Sequence, residues 1–200
     1  MSLHSSLRLD KKPLRFDDEV RFIRSWIEKP LSTGAVMPSG KMLARRMARY
    51  VDTSMTGPVI ELGAGTGPVT EALIEHGVDP ARLVLVEFNP TFCRVLRTKF
   101  PEATVVQGDA YSLRRTLGSV LPGPAASVVS GLPLMTKPMI TRLRLITDAF
   151  ALLAKNGPFI QFTYAVVPPI PTDYNGVSAE GSDLVWMNLP PARVWVYRHR

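Results

Sequence analysis

A single cysteine, Cys93, leaves the chain without the means to form an internal disulfide, and the expected state is a packed thiol in a reducing compartment. No apolar run approaches the roughly 18 residues that cross a bilayer as a helix, and the first residues mix polar, basic and apolar types without a signal-peptide core. A cytoplasmic protein is therefore expected. Histidine is scarce, and neither His4 nor His199 is placed near a candidate cavity, so no metal site and no dedicated strong base are expected. What the chain does have is an apolar share of 46% in 200 residues, enough for one domain with a full core and too little for a second large one. Its net charge of +7 is unevenly spread: residues 1–50 hold a surplus of six, and residues 51–200 are nearly neutral. A basic N-terminal segment of this kind attracts polyanions, either nucleic acid or an acidic membrane face.

From residue 58 onward, apolar runs of strand length alternate with helical patterns. Strands are expected near 58–62, 82–87, 103–107, 126–130 and 158–165, and helices near 68–77, 90–99, 110–117 and 138–154. That alternation predicts a mostly parallel α/β sheet with crossover helices. After a proline-rich stretch from Pro168 to Thr172, two β-like runs at 183–188 and 193–199 flank Leu189-Pro190-Pro191-Ala192, which suggests an antiparallel hairpin at one edge. His76, just before Gly77, reads as a helix-end residue rather than a catalyst.

Two helices are expected before the sheet. In the first, Phe16, Val20, Phe22, Ile23, Trp26 and Ile27 fall within an arc of roughly 160°, with charged residues opposite. Such a helix can pack on its own core, but its aromatic content and the flanking Lys11, Lys12 and Arg15 favour an interfacial helix. In the second, near 39–51, Leu43, Met47 and Val51 make an apolar stripe beside Lys41, Arg45 and Arg49, which a solvated basic face explains equally well.

The most informative stretch is Val59-Ile60-Glu61-Leu62-Gly63-Ala64-Gly65-Thr66-Gly67, an apolar run ending in an acid and three alternating glycines. It describes a strand turning sharply into a helix around a ligand. The dinucleotide spacing fails, because no glycine stands three places after Gly65. Glu61 would repel a pyrophosphate and suits the cationic end of S-adenosylmethionine. Ligands of such sheets lie beyond the carboxyl ends of the strands, and two further acids end strands there. Glu87 can accept from ribose hydroxyls, with Phe88 beside it, and Asp109, in Gly108-Asp109-Ala110, can accept from an adenine amino group. Three acids in register with the glycine turn predict S-adenosylmethionine binding on a Rossmann-like, class I methyltransferase fold, with residues 51–200 as the catalytic domain.

The fourth strand runs into Ser130-Gly131-Leu132-Pro133-Leu134, which should face the transferred methyl. Methyltransferases acting on nucleic-acid bases usually carry an Asn or Asp here, then a proline and an aromatic ring for the flipped base. Gly131 and Leu134 stand in those places, so the expected acceptor is flexible and non-aromatic. Tyr164 alternates with Phe162 beyond the fifth strand, and either walls the same cavity or packs as a core tyrosine.

These residues resemble the bacterial phospholipid N-methyltransferases, which convert phosphatidylethanolamine stepwise to phosphatidylcholine. The resemblance runs from about residue 15 to the end, through Gly34-Ala35-Val36-Met37-Pro38-Ser39, Glu61 to Gly67, Gly108-Asp109-Ala110, Ser130 to Leu134, Phe162-Thr163-Tyr164 and Asn188-Leu189-Pro190-Pro191-Ala192. The glycine turn is shared widely, whereas the Ser-Gly-Leu-Pro-Leu segment and the Pro-Pro-Ala hairpin are more selective. The family is itself similar to the ribosomal RNA adenine dimethyltransferases, which supply the alternative activity. The resemblance implies that Gly34 to Ser39, with Met37 and Ser39, line the methionine end of the cofactor and that Tyr164 lies near the lipid amine. It also implies that the N-terminal helix docks on anionic membrane; at the inner face of the cell membrane, Phe22, Ile23 and Trp26 are expected to insert shallowly while Lys11, Lys12, Arg15 and Arg24 meet phosphates. A monomer and no nucleic-acid partner are expected.

Overall fold

The computed structural model describes residues 38–172, 176–186 and 191–199. The predicted interfacial helix, with Lys12, Arg15, Phe22, Ile23 and Trp26, and the predicted cofactor residue Met37 lie outside the described residues, as does the Ser39 side chain.

Seven strands form one sheet: β1 (Val59–Leu62), β2 (Leu83–Glu87), β3 (Thr104–Gln107), β4 (Ser127–Ser130), β5 (Phe159–Thr163), β6 (Val177–Gly181) and β7 (Arg193–His199). Their order is β3-β2-β1-β4-β5-β7-β6, with β1 to β5 parallel and β7 antiparallel to both of its neighbours. The helices are α1 (Pro38–Ala48), α2 (Pro68–Glu75), α3 (Pro90–Lys99), α4 (Leu113–Leu117) and α5 (Met139–Leu152).

Unbroken apolar runs such as Leu83-Val84-Leu85-Val86 are buried throughout, as strands covered on both faces must be. Alternate residues feed two cores. On one face Val59, Leu83, Leu85, Val129 and Ile160 pack with Leu43 and Met47 of α1, Leu73 of α2 and Leu96 of α3. On the other, Ile60, Val84, Val128 and Phe159 pack with Leu113 and Leu117 of α4 and with Leu145 and Ile146 of α5. Helices on both faces bury the two apolar sides of such a sheet, which is the doubly wound arrangement.

Local signals set the element ends. Pro68 and Pro90 occupy first-turn positions, where a missing N–H costs nothing, and the Asn89 side chain accepts from the Thr91 N–H at 2.8 Å. Helix α2 ends at His76 and Gly77, whose φ of +103° lets Val78 N–H reach the Leu73 carbonyl at 3.0 Å. His76 Nε2 lies 3.2 Å from the Val51 carbonyl, a structural contact at a helix end.

Helix α1 presents Leu43 and Met47 to the core while Lys41, Arg45 and Arg49 face solvent, so the solvated basic face holds for this element. The compact unit that contains the sheet runs from Ala35 to Arg200 and so includes α1.

The terminal hairpin differs in detail from the sequence reading. Among the described residues of the predicted first strand, 183–186, the pairing is a single bridge, Val185 to Ala192. The partner of β7 is the more polar β6, and Ser182 extends that ladder by one step through its N–H to the Val194 carbonyl, 2.8 Å. A strand has two hydrogen-bonding edges, and β5 and β6 take both edges of β7, which leaves none for the described residues 183–186. The helix predicted over 110–117 is a short 3-10 turn, Ala110–Ser112, followed by α4.

Candidate active site

The turn from β1 into α2 is built by backbone angles open to glycine. Gly63, Gly65 and Gly67 have φ of +72°, +58° and +88°. Each has a further, different reason. A Cβ on Gly67 would sit 2.4 Å from the Phe100 ring, so this glycine lets α2 approach α3. A Cβ on Gly63 would press on Leu132 at 3.0 Å. A Cβ on Gly65 would meet nothing within 4 Å, so the middle glycine leaves an open space over the main chain.

Two carboxylates border this turn on the same face of the sheet. Glu87, at the end of β2, accepts the Gly65 N–H at 2.9 Å through one oxygen and the Asn89 N–H at 2.7 Å through the other. It braces the turn, and each of its oxygens keeps a second lone pair. Glu61 is 2% exposed and accepts from the Thr70 hydroxyl at 2.6 Å. Burial pushes its carboxyl up to about 8, with the Thr70 hydrogen bond opposing and the nearby Glu87 charge adding. Among the described residues no basic side chain pairs with it. A buried carboxyl short of a counter-charge, beside an open space over glycine, fits a cationic ligand.

Asp109 follows β3 and caps the next turn: it accepts the Tyr111 N–H at 2.9 Å and the Ser112 hydroxyl at 3.0 Å. Ala110 is buried at its side, and Phe88 is left 76% exposed beyond β2.

The end of β4 touches the glycine turn directly. Gly131 N–H donates to the Leu62 carbonyl at 2.8 Å, and a Cβ there would lie 3.1 Å from the Gly63 carbonyl oxygen. A side chain at this position would crowd that carbonyl, so packing favours glycine here, and glycine also suits a small acceptor. Ser130 is fully buried and accepts the Leu132 N–H at 3.4 Å. Leu132 and Pro133 are partly exposed, whereas Leu134, expected on the acceptor floor, is 2% exposed and packs into the second core. The reason is local: Leu134 begins a 3-10 turn, Leu134–Thr136, that bends the chain toward α5.

Tyr164 follows β5, half-buried against the first core, with its ring 5.5 Å from that of Phe162 in an edge-on arrangement. The described structure thus brings Glu61, Gly63, Gly65, Gly67, Glu87 and Gly131 into one constellation, with Asp109 and Tyr164 at the ends of strands of the same rim.

Three participants have no motif to announce them. Thr70 supplies the hydrogen bond to Glu61 from the first turns of α2. Gln161 is fully buried, and its Nε2 donates to the Leu132 carbonyl at 2.9 Å, tying the segment after β4 to β5, while Oε1 has no partner. The signal for it was a lone amide in Phe159-Ile160-Gln161-Phe162. Tyr111 holds a buried hydroxyl without a partner, pushed up to about 12 by burial and by Asp109, and Lys137 Nζ stands 4.9 Å from its ring.

No protein-family model matches the sequence. Among curated proteins, the ornithine lipid N-methyltransferase of Singulisphaera acidiphila is 30% identical over 185 residues, which cover 88% of this chain and 94% of that protein. The ribosomal RNA small subunit methyltransferase A of Anaeromyxobacter dehalogenans is 29% identical over 88% of this chain but only 64% of its own length. Among solved structures, TrmN from Thermus thermophilus aligns with a TM-score of 0.62 at 17% identity, over 82% of this chain and 52% of that one. A TehB-like SAM-dependent methyltransferase from Corynebacterium glutamicum aligns with a TM-score of 0.59 at 14% identity, over 92% of this chain and 99% of its own. With near-complete mutual coverage of a lipid-modifying relative and a glycine turn that fits a cationic ligand, the chain belongs to the lipid N-methyltransferase family, built on the class I S-adenosylmethionine-dependent methyltransferase fold and similar in sequence to ribosomal RNA methyltransferases.

Proposed function

We infer that the protein methylates the amine of phosphatidylethanolamine and of its methylated intermediates at a membrane surface, leading to phosphatidylcholine. S-adenosylmethionine is the methyl donor, and when bound it supplies a methyl on a sulfonium whose leaving group is a neutral thioether. The observation that carries the reading is the Ser130 to Leu134 segment, where neither an amide nor an aromatic ring is available to hold a nucleobase. The relative's ornithine lipid activity favours a second reading, in which the acceptor is the amine of an ornithine lipid.

Each residue of the constellation has a task in this scheme. The Glu61 carboxylate stabilises the cationic methionine end, where Met37 and Ser39 also belong by resemblance. The free lone pairs of Glu87 accept the two ribose hydroxyls, and Asp109 accepts from the adenine amino group, with Phe88 and Ala110 flanking the base. Gly63, Gly65 and Gly67 admit the cofactor against the main chain. Ser130, Gly131, Leu132 and Pro133 border the acceptor, held to β5 by Gln161, with Leu134 supporting them from the core. Alignment of the amine lone pair with the methyl is the main demand on the protein. A lipid amine, alkaline like lysine at about 10.4, must first lose a proton. Tyr164 passes that proton to water.

The N-terminal helix carries the enzyme to the surface through Phe22, Ile23 and Trp26, with Lys12 and Arg15 on phosphates. Pulling a two-chain lipid into water instead would expose methylenes at about 0.8 kcal/mol each.

The direct test incubates purified protein and methyl-labelled cofactor with phosphatidylethanolamine vesicles, with ornithine-lipid vesicles and with unmodified ribosomal RNA. Label in the first arm is expected; label confined to the second or third reassigns the acceptor. Full turnover by Tyr164→Phe on ethanolamine lipid removes the hydroxyl from the mechanism.

A further inference from the structure

Five buried side-chain polar atoms of the described residues have no hydrogen-bond partner, and three of them gather where β5 meets β7: Gln161 Oε1, Arg193 Nε and Trp195 Nε1. Trp195 packs in the second core beside Phe159 and Tyr197, and strand alternation puts Gln161 and Arg193 on that same face. Gln161 is paired in register with Trp195, and Arg193 with Thr163, the last residue of β5. Arg193 therefore stands at the rim, with the other two below it. Gly181 of β6 makes room for them: a Cβ there would lie 3.0 Å from the Trp195 ring and 3.3 Å from Arg193 Cδ, and the guanidinium is 5.7 Å from the ring centre. The cluster adjoins the segment after β4. Both Gln161 Nε2 hydrogens are taken, by the carbonyls of Leu132 at 2.9 Å and Phe162 at 2.7 Å, and Leu132 is the side chain that a Cβ on Gly63 would meet.

Hydrogen-bonding capacity left open inside a fold is costly, and interiors close it with protein, water or a ligand. Here the open set has a definite polarity. Arg193 and Trp195 offer N–H donors, one of them permanently charged, while Gln161 offers a carbonyl whose orientation its two Nε2 bonds fix. Among the described residues no ion pair neutralises Arg193, and Asp183, exposed just past β6, makes none with it. A single water can accept from both donors and donate to Gln161, but it brings no negative charge to a partly buried guanidinium. A ligand that carries an oxyanion and, a few bonds away, an N–H matches all three atoms. That is the chemistry of a zwitterionic head group, whether its anion is a phosphodiester beside an ethanolamine or the carboxylate of an ornithine. Arg193 keeps part of its surface in solvent, so such a group meets it first on entering from the rim.

We propose that Gln161, Arg193 and Trp195 form the head-group subsite for the methyl acceptor: Arg193 Nε and Trp195 Nε1 donate to its oxyanion, and Gln161 Oε1 accepts an N–H of its amine. The role in turnover rests on the lipid-methylating reading above, whereas the binding chemistry does not. The subsite favours acceptors that still carry an N–H. A fully methylated, quaternary product has none to give Gln161 and is held less tightly than the amine it came from.

The test uses the full chain, isotope-labelled at the indole nitrogens of its three tryptophans, and follows their N–H signals by magnetic resonance. Trp195→Phe identifies the Trp195 signal by removing it. Glycerophosphoethanolamine and Nα-acetylornithine are added separately as soluble head groups, with ethanolamine, which lacks an anion, as the control. The Trp195 signal is expected to shift in at least one of the first two arms, to stay still with ethanolamine, and to stop responding in Arg193→Gln. The arm that moves it identifies phosphate or carboxylate as the anion. On vesicles of the lipid that wild type methylates, Arg193→Gln raises KM by about tenfold or more and Trp195→Phe by about fivefold, with kcat within about threefold and cofactor affinity unmoved. Arg193→Lys, which keeps the charge, recovers part of the loss. A Trp195 signal unmoved in both arms means that water alone closes the cluster and overturns the proposal, as does an unchanged KM in both Arg193→Gln and Trp195→Phe. Should wild type methylate no lipid amine while the signal still shifts and Arg193→Gln abolishes the shift, the lipid-methylating reading fails and the head-group subsite stands.

Discussion

Over β1, β2 and β3 the carboxylates at the rim of the sheet are all partnered, Glu87 by two backbone N–H groups, Asp109 by Tyr111 and Ser112, Glu61 by Thr70, while the Tyr111 hydroxyl after β3 has no partner. Past β4 the described rim carries Gly131, Leu132 and Pro133, with Tyr164 after β5, and the buried polar atoms Gln161 Oε1, Trp195 Nε1 and Arg193 Nε have no partner. The first half is preorganised for one polar molecule of fixed shape, because satisfied carboxylates do not rearrange when it arrives. The second half offers a loose apolar border, suited to an acceptor whose greasy part stays elsewhere.

That contrast can be broken most severely at Gly65. Replacing it with Val fills the open space above the turn and adds about 1–2 kcal/mol of backbone strain at its φ of +58°. Calorimetry should show S-adenosylmethionine affinity reduced by about 100-fold, equivalent to about 2.7 kcal/mol, with melting temperature lowered only by the strain.

Glu61→Gln tests the charge at the heart of the donor side, with an expected loss of about tenfold in cofactor affinity at pH 8.5. The folded protein holds a proton on Glu61 up to about pH 8, whereas the unfolded chain releases it near 4.5. The folded state therefore binds more protons between those values, and stability is full below the lower one and is lost as pH rises to the upper one. The slope is at most about 1.4 kcal/mol per pH unit. Melting of the cofactor-free protein should fall through this window, and the fall should flatten in Glu61→Gln. Saturating cofactor should flatten it in wild type, because a bound cation favours the carboxylate.

Gln161→Met sharpens the comparison from the other side. It removes the 2.9 Å hydrogen bond to the Leu132 carbonyl and also the unpartnered Oε1, so net stability should change by less than about 1 kcal/mol. Turnover on the lipid acceptor should drop about fivefold with cofactor affinity unmoved, as steady-state kinetics beside calorimetry will show. Equal losses in both would erase the division between the halves. The smallest effect belongs to a pair remote from either half: Arg45→Ala, breaking the exposed 2.9 Å ion pair to Glu75, should cost less than about 0.5 kcal/mol in a denaturant melt and leave turnover untouched.

The donor half was legible because its chemistry is local. A strand, a glycine turn and a helix are contiguous, and the acids at 61, 87 and 109 stand at strand ends that periodicity alone reveals. The acceptor half was legible only as a list of missing groups. Leu134 reads as cavity floor until the 3-10 turn at Leu134–Thr136 carries it into the core, and Gly131 reads as room for substrate until its contact with Gly63 supplies a packing reason. The hairpin was misplaced for a similar reason. The 183–188 run is the more apolar and reads as the strand, yet the edge of β7 goes to Val177–Gly181.

Composition, periodicity and the order of glycines and acids determined by themselves that this chain forms a mostly parallel sheet with an S-adenosylmethionine turn, because each of those signals acts between residues close in sequence. Only the tertiary structure decided which edge β6 takes, that Gln161 holds the segment after β4, and that the apolar tips at 139–140, 166–167 and 186 share one rim. Those outcomes depend on competition between segments tens of residues apart for the same edge, clamp or face, and nothing along the chain records who wins.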